Sequence, residues 1–287
     1  MSRLTDIGYV KEVLSKHGFH FAKSMGQNFL INPTVCPKRA AECGAEQVAG
    51  VIEIGPGCGV LTYELSQTAK KVVAIELDRR LFPVLEETLS DCGNVVLVEG
   101  DALELDLRAL IDREFPGGEV SVCANLPYYI TSPLLMRLLE SDLPLCSVTV
   151  MVQKEAAQRI CAKPGTRECG AVSASVWYHS EPELLFGVSR GSFLPAPKVD
   201  SAVIRLTLRK TPPVEVKDEA FFFSMVRAAF AQRRKTAANS ISAAGRVSKA
   251  QVETALERIN LLKNSRAEQL NLNQLAALAN YLWEESK

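Results

Sequence analysis

The sequence lacks the residues and patterns that mark several classes of protein. It contains eight cysteines but no CxxC pair, and only three histidines, so the ligand spacing of a zinc site is missing. No apolar run reaches the roughly 18–20 residues that cross a bilayer. The first 17 residues also lack the apolar stretch of a signal peptide. We therefore expect a cytoplasmic protein without a metal site, whose thiols are reduced and structural.

Neither sign of charge is in excess. The 287 residues include 33 Lys or Arg and 33 Asp or Glu, so composition alone does not indicate binding to nucleic acid. Hydrophobic residues make up 47% of the chain, which is enough for a full core. One dense basic stretch, FAQRRK at 230–235, lies between Arg227 and Arg246. Taken alone, this stretch is best explained as a solvated helix face.

Short apolar runs alternate with helical patterns over the first two thirds of the chain. Continuous apolar runs of about five residues are typical of strands buried on both faces of a parallel sheet. We predict strands at 51–55, 72–76, 95–100, 120–125, 147–153, 183–190 and 199–208. Helical patterns cover 9–16, 34–43, 60–69, 79–90, 103–111 and the residues after 153. This order predicts a doubly wound, mostly parallel α/β sheet domain of the Rossmann-like kind.

Two consecutive prolines, Pro212 and Pro213, interrupt this alternation. Beyond them, apolar side chains recur at helical spacing over 218–231, 248–259 and 272–283. Ser248 followed by Gln251 predicts a capping box at a helix start. We therefore predict an α/β domain over residues 1–208 and a small all-helical domain over residues 209–287.

A glycine-rich turn, with Gly55, Gly57 and Gly59, follows the first predicted strand of the sheet. Glycine allows the backbone to turn tightly and a ligand to approach the main chain. Glu76 ends the next strand about 20 residues further on, where an acidic side chain would bind a ribose diol. This spacing serves NAD as well as S-adenosylmethionine, and Glu76 could also be an ordinary charge at a helix start.

Three further polar positions separate these two cofactors. Glu53 lies inside the first strand, where its carboxylate would repel a pyrophosphate but suit a ligand with ammonium and sulfonium groups. Asp101 ends the third strand, within reach of an adenine amino group, and Asn125 ends the fourth. Each of these residues alone is explained equally well as a polar loop residue. Together, the four strand ends predict a site at the switch point of the sheet that fits S-adenosylmethionine.

Six motifs occur in an order that resembles the ribosomal RNA adenine N6,N6-dimethyltransferases. They are GQNFL (26–30), EIGPGCGVLT (53–62), the strand end at Glu76, EGDA (99–102), NLPYYITSP (125–133) and FLPAPKVDSAV (193–203). They are most similar to those of the bacterial enzymes that modify two adjacent adenosines near the 3′ end of 16S rRNA. The resemblance covers nearly the whole chain, including QRRKT in the helical tail.

The resemblance implies a class I methyltransferase fold with S-adenosylmethionine as cofactor. It implies 16S rRNA, within the small ribosomal subunit or its precursor, as partner, and no membrane; we expect a monomer. Asn125 matches the motif that meets both cofactor and target. Other matches are to cofactor-binding positions: Asn28 and Leu30 for the methionine, Gly55 for a backbone contact, Glu76 for the ribose and Asp101 for the adenine. The chain departs from the family pattern at Cys169, where tyrosine is usual, and at 237–238, where Leu-Arg is usual.

The chemistry of the target explains the residues at the fourth strand end. Adenine N6 is a poor nucleophile because its lone pair is delocalised into the ring. Acceptors on its N–H groups would localise that pair, and we assign them to the Asn125 side chain and the Leu126 carbonyl, since Pro127 fixes the backbone there. Tyr128 would stack on the base, with Phe193 on the other face. Because Asn125 is neutral, a methyl group beside it is tolerated, and we expect N6,N6-dimethyladenosine as product.

Three other functions remain open at this point. They are a 23S rRNA adenine N6-methyltransferase, a non-catalytic ribosome-assembly factor that binds immature small subunits, and a nucleotide-dependent dehydrogenase. The helical tail and FLPAPKVDSAV favour the small-subunit enzyme over the first. Glu53 and NLPY argue against the dehydrogenase. Activity separates an enzyme from an assembly factor.

Overall fold

The computed structural model describes residues 3–19, 28–126 and 130–286. The chain divides into two compact units, of which the first comprises Met1–Ala157 and Glu183–Leu208 and the second Gln158–Pro182 and Arg209–Lys287. The sequence predicts one boundary, after residue 208. The structure adds Gln158–Pro182 to the helical unit, because Tyr178 lies in that unit's hydrophobic core.

The first unit is built on a seven-stranded sheet. The strands of the described residues are β1 (Phe29–Leu30), β2 (Gly50–Ile54), β3 (Val72–Glu76), β4 (Val95–Glu99), β5 (Val120–Asn125), β6 (Leu145–Gln153), β7 (Ser180–Val188), β8 (Phe193–Leu194) and β9 (Ser201–Leu208). The sheet has the order β4-β3-β2-β5-β6-β9-β7. Strands β2 to β6 pair in parallel and β9 is antiparallel to β6. The predicted doubly wound, mostly parallel sheet is confirmed, with the change of direction at β2.

The helices follow the predicted alternation with strands. They are α1 (Ile7–Lys16), α2 (Val35–Glu42), α3 (Val60–Ser66), α4 (Phe82–Thr88), α5 (Leu107–Glu114), α6 (Thr131–Glu140), α7 (Lys154–Ile160), α8 (Ala171–His179), α9 (Glu219–Ala231), α10 (Ala237–Ser242), α11 (Lys249–Arg258) and α12 (Leu272–Glu285). The helix predicted at 103–111 begins later, because the Asp106 side chain accepts from Ala109 N at 2.9 Å and caps α5 there. Among the described residues, none of the helices is both long and apolar enough to span a membrane.

Apolar side chains at helical spacing attach α2 to the sheet. Its buried face carries Val35, Cys36 and Ala40, which pack with Val51 of β2 in one cluster. Arg39 lies on the same face and is only 1% exposed. A charged residue at a core position of a helix is unusual, and it places a cation in the interior of this unit.

The second unit is helical around its own core. The predicted capping box starts α11: Ser248 N donates to Gln251 Oε1 at 2.8 Å, and Gln251 N donates to Ser248 Oγ at 3.3 Å. The short helix α10 has six residues (AANSIS), of which Ile241 is the only large apolar one, so its sequence is too short to show helical periodicity and does not predict it. Its Ala237 and Ala238 are fully buried in the core, so the positions where the family usually has Leu-Arg contribute packing instead of charge.

The basic stretch does not form a helix face. Helix α9 ends at Ala231 and α10 begins at Ala237, so Arg233, Arg234 and Lys235 occupy the turn between them, and all three are exposed. Thr236 caps α10 by accepting from Asn239 N at 3.2 Å. The interpretation of this stretch as a solvated helix face is therefore wrong, since the cations project from an exposed turn.

Candidate functional site

A cavity of about 330 Å³ opens at the carboxyl edge of the parallel strands. Every predicted site residue that the structure describes lies in its wall: Asn28, Leu30, Gly55, Glu76, Asp101, Asn125, Leu126 and Phe193. Pro127 and Tyr128 lie outside the described residues. The fold therefore brings together residues from six separate motifs of the sequence.

Strand register explains why the strand ends meet. Ile54 of β2 pairs with Ile75 of β3 on one side and with Ala124 of β5 on the other. The glycine turn after β2 consequently lies between Glu76 and Asn125, the last residues of the two neighbouring strands. Because parallel strands end at the same edge of a sheet, the strand ends alone bring these polar side chains together.

A second, two-stranded sheet joins the N-terminal and FLPAPKVDSAV motifs. Strand β1 pairs with β8 in antiparallel register, with Leu30 opposite Phe193. Ile31 N also donates to Ser192 O at 2.8 Å. Phe193 is buried within the core cluster while lining the cavity. These contacts close one side of the cavity with residues from opposite ends of the first unit's sequence.

The Glu76 carboxylate is held in place by the backbone around it. Its Oε2 accepts from Gly57 N at 3.2 Å and its Oε1 accepts from Asp78 N at 2.9 Å. Gly57 has a φ of +60°, and a Cβ there would lie 3.2 Å from the Phe29 ring, so glycine is required. Burial raises the pKa of Glu76, and these backbone N–H groups lower it in part. A carboxylate has further acceptor sites beyond two, so Glu76 can still accept hydrogen bonds from the hydroxyl groups of a ligand.

Glu53 lies in the same wall without a full set of partners. It is 1% exposed, and its Oε2 has no hydrogen-bond partner among the described residues. Burial raises the pKa of Glu53 to about 8. A buried polar atom without a partner is unfavourable, and a positively charged donor entering the cavity would satisfy it. This orphaned acceptor fits a cofactor with an ammonium group.

The other two strand ends supply polar groups of different kinds. The Asp101 side chain is oriented by Leu103 N, which donates to Oδ1 at 2.8 Å. Asn125 is half-buried and lies opposite Met151 in the register of β5 with β6. The cavity therefore has a carboxylate on one side of the glycine turn and a neutral amide next to an apolar side chain on the other.

The family model described as "Ribosomal RNA adenine dimethylase" matches residues 18–284. The chain belongs to the ribosomal RNA adenine dimethylase family. Two relatives, each named "Ribosomal RNA small subunit methyltransferase A", come from Geobacillus sp. (strain WCH70) and Geobacillus thermodenitrificans (strain NG80-2). The first is 47% identical over 279 residues, covering 96% of each chain. The second is 48% identical over 281 residues, covering 96% of this chain and 95% of the relative.

Solved structures resemble the chain in fold. The 23S rRNA methyltransferase ErmE has a TM-score of 0.69 at 28% identity, covering 89% of this chain and 99% of that chain. A dimethyladenosine transferase from Plasmodium falciparum also has a TM-score of 0.69, at 25% identity, covering 87% and 95%. The family's fold thus extends over most of the described chain.

Several cavity residues of this family member were missed by the sequence analysis. Arg39 from α2, Met151 from β6 and Ser201 from β9 all line the cavity. Arg39 had a detectable signal in the sequence, because its helical spacing from apolar residues places it on the buried face of α2. Met151 and Ser201 had none, since one lies inside an apolar run and the other in a motif of small residues.

The thiols near the cavity are unreactive. Cys36 and Cys58 line it, and all eight cysteines of the chain are free. Burial raises the pKa of Cys36 to about 12 and also raises that of Cys58. Both are therefore protonated at neutral pH, and a thiol is a poor nucleophile compared with a thiolate.

Replacing Glu76 by alanine tests the ribose assignment. We expect Glu76→Ala to weaken binding of S-adenosylmethionine by about 1–3 kcal/mol, the range for a charged hydrogen bond, as measured by calorimetry. The control is Glu99→Ala, which removes the same charge from the residue opposite Glu76 on β4. Glu99 pairs with Arg79 on the surface. Equal affinities for the wild type and Glu76→Ala would contradict the assignment.

Glu53 predicts a proton release on binding. With its pKa near 8 in the free protein, the carboxyl is mostly protonated at pH 7, and a nearby ammonium favours the ionised form. Binding of S-adenosylmethionine at pH 7 should therefore release close to one proton, and less above pH 8, where the carboxyl is already ionised. Calorimetry in two buffers of different ionisation enthalpy measures this number. Glu53→Gln should lose the release; a wild-type enthalpy independent of buffer would refute the prediction.

Proposed function

We propose that this protein uses S-adenosylmethionine to dimethylate N6 of two adjacent adenosines near the 3′ end of 16S rRNA. We propose that it acts in the cytoplasm as a monomer, on the small ribosomal subunit or its precursor. The observation that carries the proposal is the single cavity wall formed by Glu76, Asp101 and Asn125 around the glycine turn. The high identity to small-subunit methyltransferases over nearly the full length supports the choice of substrate.

The cofactor half of the cavity would bind and orient the methyl donor. S-adenosylmethionine supplies a methyl group that its sulfonium already activates. In our proposal Glu76 accepts from the ribose hydroxyls, Asp101 from the adenine amino group, and the Gly55 backbone lies against the ligand. Asn28 and Leu30 would cover the methionine end. Each of these residues lines the cavity, and their common task is to fix the direction of transfer.

The target half would orient the adenine amine. Asn125 and the Leu126 carbonyl would accept its N–H groups, which localises the nitrogen lone pair and aims it at the methyl. Phe193 would contact the base, and Tyr128, outside the described residues, would stack on it. The target base must leave its stack to enter, which is easiest in a loop or single strand. No general base is needed, because the proton can leave to solvent after transfer.

The neutral amide at Asn125 suits a second transfer. After the first methylation N6 keeps a single N–H, which one acceptor can hold. The Leu126 carbonyl would take it, while the methyl turns toward the Asn125 side chain and Met151, its neighbour in register. A methyl beside a neutral amide and a thioether is much less unfavourable than beside a buried carboxylate. The dimethyl product is consistent with this environment.

The proposed RNA contact lies on the helical unit. Arg233, Arg234 and Lys235 are exposed in the turn between α9 and α10. Cations on a turn can approach phosphates from several directions, and phosphate contacts provide most of the sequence-independent affinity for RNA. Ala238 is buried where the family usually has arginine, so this turn would work without that cation.

Nucleoside mass spectrometry tests the activity. Purified protein is incubated with labelled S-adenosylmethionine and small subunits that lack the modification, and large subunits serve as the parallel substrate. We expect label in 16S rRNA as N6,N6-dimethyladenosine. Asn125→Ala should reduce transfer by about 100-fold or more, the scale for losing one positioned polar group, while cofactor affinity stays within about tenfold.

The outcomes separate the alternatives. Label in 23S rRNA alone would favour the large-subunit enzyme. Cofactor and subunit binding without any transfer would favour an assembly factor. Accumulation of the monomethyl nucleoside without the dimethyl form would refute the proposed environment of N6, and an Asn125→Ala protein with half of wild-type turnover would refute the role of that side chain.

Charge reversal of the basic turn tests RNA docking. We expect Arg233→Glu, Arg234→Glu and Lys235→Glu together to weaken association with 16S rRNA and to flatten its salt dependence. Each lost phosphate contact lowers the magnitude of the slope of log K against log salt by about 0.7–0.9, so losing three contacts should lower it by about 2 to 3. Filter binding at several salt concentrations measures it.

A matched triple variant controls for net charge. Lys249, Lys263 and Arg266 are exposed cations of the same unit, and each is paired with a glutamate. Reversing these three charges changes the total charge equally, and we expect a smaller change in slope. Equal slopes for the two triple variants would show that the basic turn makes no specific contact with phosphates.

A further inference from the structure

Arg39 is a buried cation that has no role in the reaction proposed above. It lies on the core face of α2, is 1% exposed, and lines the cavity. Removing a charge from water costs several kcal/mol unless partners replace the lost hydration. Its buried neighbours on the helix are apolar or small, so packing alone does not account for an arginine here.

The guanidinium is only partly satisfied by the protein. Its Nη2 donates to the Ala124 carbonyl at 2.6 Å and lies 3.8 Å from Cys123 Sγ. Its Nε has no hydrogen-bond partner within the described part of the chain. Arginine carries five N–H donors in a planar fork, and the donor on Nε is left without an acceptor. The contact with Ala124 holds the fork directly beside Asn125, at the end of β5.

An acidic side chain lies nearby, and it too has an atom without a hydrogen-bond partner. Glu53 pairs in register with Cys123, the residue whose sulfur Arg39 approaches. Glu53 Oε2 lacks a partner, and both residues line the same cavity. The cavity wall thus presents one buried cation and one buried carboxyl group, which a nearby ammonium would ionise, each with a hydrogen-bonding atom that lacks a partner. The matching ligand group is a zwitterion with an ammonium and a carboxylate on neighbouring atoms.

We infer that Arg39 binds the carboxylate of the methionine end of S-adenosylmethionine, while Glu53 faces the ammonium. This inference rests on the proposed function, since it names the residue that recognises one group of the proposed cofactor. A phosphate of the RNA is also an anion, but it carries a sugar on either side and would have to reach a side chain with almost no exposed surface. The carboxylate is a small terminal group without flanking sugars, so it can approach the cavity wall that Arg39 lines.

Two ligands that differ only in the carboxylate test the inference. Decarboxylated S-adenosylmethionine keeps the adenosine, the sulfonium and the ammonium. By calorimetry without RNA, Arg39→Met should bind S-adenosylmethionine about 10- to 100-fold more weakly than the wild type does, the range for a charged hydrogen bond. The same variant should bind the decarboxylated ligand with an affinity within about threefold of wild type, because the lost partner group is absent.

Lys38→Met is the matched control. Lys38 is the preceding residue of α2, is exposed, and lies over the Phe186 ring at 4.1 Å from its centroid. Lys38→Met removes the same charge outside the cavity. Both ligands should therefore bind to this variant with the same affinity as to the wild type. Equal weakening of both ligands by Arg39→Met, or no weakening of either, would overturn the inference. Absence of S-adenosylmethionine binding to the wild type would instead overturn the proposed function itself.

A measurement on the wild type covers the case in which Arg39→Met does not fold. In protein labelled with ¹⁵N-arginine, the Arg39 Nε–H signal is assigned by its absence from Arg39→Lys, which keeps the charge. The signal should shift when S-adenosylmethionine is added and remain in place with the decarboxylated ligand. An equal shift with both ligands would contradict a contact between Nε and the carboxylate.

Discussion

Parallel pairing of β2 with β3 and with β5 is the constraint on which the site depends. It brings the carboxyl ends of these strands to one edge of the sheet and places the glycine turn between Glu76 and Asn125. Gly57 at a positive φ then passes close to Phe29, and its N–H fixes the Glu76 carboxylate. The backbone and the acidic side chain hold each other, so the geometry exists before a ligand binds.

The same edge of the sheet brings together buried ionisable side chains. Glu53, Glu76 and Arg39 are each less than a tenth exposed, and two of them have atoms without partners among the described residues. Such groups reduce the stability of the free protein. A ligand that supplies the missing partners recovers that free energy on binding, which makes recognition depend on the charged groups of the ligand rather than on its apolar area.

The two halves of the cavity differ in the kind of polar group that they present. Carboxylates surround the part next to β2, β3 and β4, where a cationic cofactor would lie. The part next to β5 and β6 has the neutral Asn125 beside Met151. A neutral acceptor can orient an amine without holding a proton or a charge. It also tolerates a methyl group on the amine next to it. This division suits a reaction whose product is bulkier and less polar than its substrate.

The sequence by itself determined the sheet, the motif positions at its strand ends and the start of α11. Apolar runs and capping residues are local signals, and parallel strands necessarily end together. The tertiary structure decided the rest. The pairing of Leu30 with Phe193, the inward direction of Arg39 and the packing of Tyr178 with the helical unit all join segments that are distant along the chain. The register of β1 on β8 and the shape of each core select these contacts; the helical spacing of Arg39 with apolar residues places it on the buried face of α2, but it does not show which segment that face meets.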